Sequence, residues 1–219
     1  MSNNPMIIKN LIAELSSSDD VTRLKARREI LEAGKPAYTS LFEALRDRNC
    51  LMRWEAVNIL GGVGDPEVAP ALVSALEDGE FEVRWVAAEA LIRMGTKGLK
   101  ALFQALTERA DSAFLRERAH HVLHKLAQGE LKVFLIPVLI ALESREPSVE
   151  VPPAALRAME SMDEALKTVR KVDPSSPWYS ILAAPVGMNP DLPARKRSQR
   201  YVKSLQKEQR PFDEDLARA

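Results

Sequence analysis

Cysteine is almost missing from this 219-residue chain: Cys50 is the only one, so no internal disulfide can form and a reducing compartment suits it. Glycine is scarce too, with 9 residues, while Ala, Leu, Glu and Arg abound. That balance favours helix over strand, because alanine and straight-chain residues lose little freedom on entering a helix. No apolar run reaches the length of about 18 residues that a membrane-spanning helix needs. The opening "MSNNPMIIKNLIAEL" has no basic segment followed by an unbroken apolar stretch, so no signal peptide is expected and the default location is cytoplasmic. Net charge is also lacking, with 31 basic and 31 acidic residues. Residues 173–219 hold eight of the basic and six of the acidic ones, which leaves 1–172 at −2. A body that wraps nucleic acid should carry a basic stripe, so this balance argues against such a partner.

What is present is repetition. "MRWEAVNILGGVG" from Met52 is echoed by "VRWVAAEALIRMG" from Val83. Arg23, Arg53, Arg84 and Arg116 stand 30, 31 and 32 residues apart. Around them recur an apolar or Thr residue one before, an alanine three after (Ala26, Ala56, Ala87, Ala119) and Ile30, Leu60, Leu91 and Leu123 seven after. These positions share one helical face. Eleven after comes Gly34, Gly64 or Gly95, and Ala127 in the last copy; a glycine there suits a helix C-cap. A second helix follows each, ending at Leu45, Leu76, Leu106 and Leu142, with Pro36 and Pro66 near two of the starts. A helix pair of about 31 residues cannot bury its own apolar face, so the copies are expected to stack as a solenoid.

With the arginine, alanine, leucine and glycine in register, the units resemble HEAT repeats, in the short form of phycobilisome-lyase-like proteins. The resemblance covers residues 19–142 as four units. It implies an all-α solenoid, with 1–18 as an N-terminal capping helix and 143–172 as a degenerate fifth repeat or capping helix, read from Pro153 to Val172. It also implies relatives that handle bilin chromophores, a role that an absorbance shift on adding a linear tetrapyrrole would reveal. Some HEAT-like solenoids are DNA glycosylases, an alternative against which the −2 body weighs.

No catalytic constellation emerges, and no enzyme activity, cofactor or metal is expected. His120 and His124, four apart and near Glu117, face outward on the wheel and supply at most two ligands and a carboxylate; a solvated polar face is the plainer reading. Cys50 follows Asn49 at a helix start with no histidine in register. "GGVGD" at 61–65 is a helix terminus, not a phosphate loop. Trp54 and Trp85 occupy equivalent positions and are expected to fill the seam between neighbouring first helices.

The outward positions of the second helices are expected to line a concave binding face. They are polar-leaning in three units (Glu43 in the first, Lys100 and Gln104 in the third) and wholly apolar in the fourth, as Val133, Ile136 and Ile140. Such a row marks a contact site for another protein or peptide, unless the chain's own Trp178 and Tyr179 in "PWYSIL" cover it. Residues 173–192 are proline-rich and should be extended; Arg195–Arg210 reads as a basic helix docking through Tyr201, Val202 and Leu205, with too few apolar anchors for a membrane. The function expected is a non-enzymatic scaffold that holds a protein partner.

Overall fold

The computed structural model describes residues 4–128 and 131–172, and every regular element among them is helical. The helices are α1 (Pro5–Glu14), α2 (Asp20–Ala33), α3 (Tyr38–Ala44), α4 (Cys50–Val63), α5 (Ala69–Ala75), α6 (Phe81–Met94), α7 (Thr96–Glu108), α8 (Ala113–Leu126), α9 (Lys132–Leu142) and α10 (Pro147–Val172). Short 3-10 turns at Lys35–Ala37 and Pro66–Val68 lead into α3 and α5, each with its proline in the first turn, where a missing donor costs little. The first helix of each pair packs on the next in series: α2 on α4, α4 on α6, α6 on α8. The second helices fill the other side, with α3 against α4, α5 against α6 and α5 beside α7. One apolar core runs from Ile8 through Ile30, Leu60, Leu91 and Leu123 to Met162.

The recurrent arginine has a purpose that spacing alone does not reveal. Each one reaches back six residues to a carbonyl in the turn before its own helix. Arg23 Nη1 donates to Ser17 at 2.6 Å, Arg53 to Asp47 at 2.9 Å, Arg84 to Asp78 at 2.7 Å and Arg116 to Ala110 at 2.5 Å. A helix C-terminus leaves carbonyls without intrahelical partners, and a charged donor satisfies one strongly. The same turn is tightened from the other side. Asp47 and Asp78 accept the backbone N–H groups of Asn49 and Glu80, and Ser17 Oγ accepts that of Asp19. Asp19, Asn49 and Ser112 then cap the helices that follow. Because Arg23 clasps the turn after α1 in the same way, α1 stands as the second helix of a half unit, beside α3.

The fourth copy departs from this scheme, and the departure starts at Ala127. Gly34, Gly64 and Gly95 adopt φ of 66°, 65° and 59°, a region in which a Cβ is strained. Ala127 instead takes φ −71° and ψ 55°, so the chain leaves α8 by another route. The expected place for α9 was beside α7; its principal neighbours are α8 and α10, and α10 is the helix that packs on α7. α10 begins at Pro147, six residues before the expected start, and continues through Pro152 and Pro153. Its buried face is small, with Ala154, Ala155 and Ala158 between Val151 and Met162, which allows close approach to its neighbours.

Candidate interaction site

The second-helix row is a polar surface held by cross-unit contacts. Glu43, Lys100 and Gln104 are exposed, as expected. Lys100 Nζ lies 3.5 Å from Asp163 on α10, and Gln104 donates to Glu108 at 3.1 Å. At the head of the row Lys35 bridges to the next unit, 2.7 Å from Glu67 and 3.2 Å from Asp65. The backbone N–H of Glu67 and the Lys35 ammonium hold the Asp65 carboxyl below its usual range against the opposing effect of burial. Burial, with the Asp65 charge beside it, pushes the Tyr38 hydroxyl up to about 12, and that hydroxyl donates to Asp65 at 3.3 Å.

On α9 the two faces differ in position rather than polarity. Leu135, Val138 and Ala141 are buried, while Val133, Ile136 and Ile140 stand 66%, 44% and 64% exposed. The apolar row is therefore open, but not where the sequence placed it. α10 stands between α7 and α9, so this row does not continue the face that carries Lys100 and Gln104. Trp178, Tyr179, Tyr201 and Leu205 lie outside the described residues.

The first-helix row holds features that spacing did not reveal. Arg27 and Glu55, both buried, form a forked pair across α2 and α4, with Nε 2.9 Å and Nη2 2.6 Å from the same carboxylate oxygen. Arg27 also lies over the Trp54 ring at 5.9 Å, so Trp54 does fill the seam, as expected. Trp85 spans the next seam to His121 of α8 at 5.2 Å, with Phe81 at 6.2 Å, but stays 44% exposed rather than filling it. The signal was available, since the position of Arg27 holds Val57, Ala88 and His120 in the other copies. Further along, Arg53 grips Asp78 through two bonds of 2.7 and 2.9 Å. Burial alone would raise the Asp78 carboxyl, but the Arg53 fork and the Glu80 N–H bring it below the ordinary carboxylate range.

His120 and His124 stack at 6.1 Å on the outside of α8. His120 Nε2 meets Glu143 at 2.7 Å rather than Glu117, which pairs with Arg118 at 2.6 Å. Among the described residues no group of three His, Cys, Asp or Glu side chains is arranged to hold a metal, and no helix is long and apolar enough to cross a membrane.

Stacked antiparallel pairs with a turn-clasping arginine and a terminal glycine already define a repeat, and residues 38–124 match the family described as HEAT repeats. Residues 38–124 carry HEAT repeats. The match spans the HEAT units from α3 to α8 and stops short of α9 and α10, where the packing departs from the regular pattern. Among solved structures, an engineered protein is similar at 16% identity over 91% of this chain and 96% of its own, with a TM-score of 0.37. No curated protein matches.

Proposed function

We propose that this HEAT-repeat chain is a non-enzymatic scaffold that holds a protein or peptide partner against α9. The observation that carries this reading is the exposed row Val133, Ile136 and Ile140 on a helix whose opposite face is also apolar. An open apolar row on a rigid stack is the kind of surface that partners bury, and a repeat array presents such rows without a cleft. The short period and the arginine-to-glycine spacing support the phycobilisome-lyase-like subtype, and the composition supports a cytoplasmic setting.

The test is capture from the native source with the wild-type chain and Ile136→Asp, the retained proteins being quantified by mass spectrometry. Because Ile136 is 44% exposed, the substitution should leave helicity by circular dichroism intact while partner recovery falls at least about tenfold. Equal recovery by a folded variant would remove α9 from the reading.

A further inference from the structure

We propose that the row of first helices carries a second docking surface, built on Phe81, Trp85 and Phe114, whose occupant is a basic amphipathic helix presenting two or three apolar side chains. The three rings are exposed at 50%, 44% and 48%, yet they are not loose. Phe81 stacks near Trp85, with ring planes 20° apart. Buried Arg84 lies 4.3 Å from the Phe114 ring and 5.9 Å from Phe81, and buried Arg118 lies 5.0 Å from Phe81. The guanidinium groups thus hold one side of the rings from within, and the other sides face solvent. Aromatic anchors already fixed in place lose little freedom on binding, which is the property that makes Trp, Tyr and Arg dominate interfaces.

Charge decides the partner's sign. The cations here are spent inward. Arg84 donates to the Asp78 and Gly79 carbonyls, Arg116 to Ala110, and Arg118 is paired with Glu117. The rim is acidic: Glu80 and Glu82 flank Phe81 and are exposed. His121 beside Trp85 is engaged by Glu89 at 3.3 Å. An approaching chain meets carboxylates around an aromatic centre, so a partner with basic flanks is favoured in encounter and in register. Spacing decides its form. Phe81 and Phe114 open adjacent first helices, whose axes pack about 8–10 Å apart. Seven residues of α-helix rise about 10.5 Å, so apolar side chains at i and i+7 match the step.

The experiment uses the full-length chain and two labelled alanine-based helical peptides of about 18 residues with Leu at i, i+3 and i+7, one carrying about four Lys and the other about four Glu at matched, well-separated flanking positions. Fluorescence anisotropy should show salt-sensitive binding of the Lys peptide and binding at least about tenfold weaker for the Glu peptide. Trp85→Ala and the charge-reversed pair Glu80→Lys/Glu82→Lys should each weaken the Lys peptide by at least about tenfold with unchanged helicity. Ile136→Asp should leave it untouched, which separates this surface from the α9 row. Equal affinity for both peptides would overturn the proposal, as would full affinity in the folded charge-reversed pair.

Discussion

Arg27 and Glu55 are charged residues inside a core, and their geometry explains why they are tolerated: the fork leaves little of either charge unsatisfied. Removing one partner strands the other. Glu55→Ala should therefore lower unfolding stability by about 3–5 kcal/mol, whereas Arg27→Met/Glu55→Leu, which removes both charges, should recover most of the loss. Urea unfolding of the three proteins gives the comparison directly; a Glu55→Ala variant as stable as wild type would mean that water reaches the site. The arginine column at residues 23, 53, 84 and 116 was legible because it recurs at a fixed step. Its partners were not, because a backbone carbonyl carries no residue-type signal and the atom that accepts lies six residues upstream. Arg27 was hidden for the opposite reason. It belongs to one copy alone, and repetition makes a solitary departure look like noise.

Between α4 and α6 the closest approach is set by Gly61. A Cβ built there would sit 2.5 Å from the Ala90 Cβ, and neither group is the end of a flexible side chain. Gly61→Ala must push the two helices apart and is expected to cost about 1–3 kcal/mol, with Ala90→Gly in the same chain restoring part of it. Thermal melts of the single and double variants read this; additive losses would show that the helices do not meet at this pair. Helix order and the core face of α2, α4, α6 and α8 could be read from the period of the apolar residues, because each such face meets the same surroundings. The end of the array could not. Ala127 in place of glycine was visible in the sequence, but the changed exit from α8 and the shift of α10 onto α7 are tertiary outcomes. The α9 row was thus legible as apolar, with its cover left open, while its neighbours were misassigned. Equivalent positions also hid unequal burial: the arginine over Trp54 comes from α2, the preceding first helix, and Trp85 meets Phe81 and His121 instead.

Across the whole stack, each layer of the core leans on the ones beside it, from α1 against α2 and α3 to α10 against α7 and α9. The arginine clasp adds a different property, because its carbonyl bond spans only six residues of chain. Arg53 also reaches the next joint, through its fork onto Asp78. Excising residues 65–95, so that Gly64 leads straight into Thr96, removes one clasp together with its turn and the Asp78 partner of Arg53, and keeps the carbonyl bonds of Arg23, Arg53 and Arg116. The shortened chain should keep its ellipticity per residue and melt cooperatively at a lower temperature, as expected where stability is a sum over units and their junctions. A collapsed or unfolded product would show that the joints depend on one another. Knots tied mostly within a few residues let the array grow or contract by whole beads, with the Arg53–Asp78 fork as a cross-tie lost by this excision.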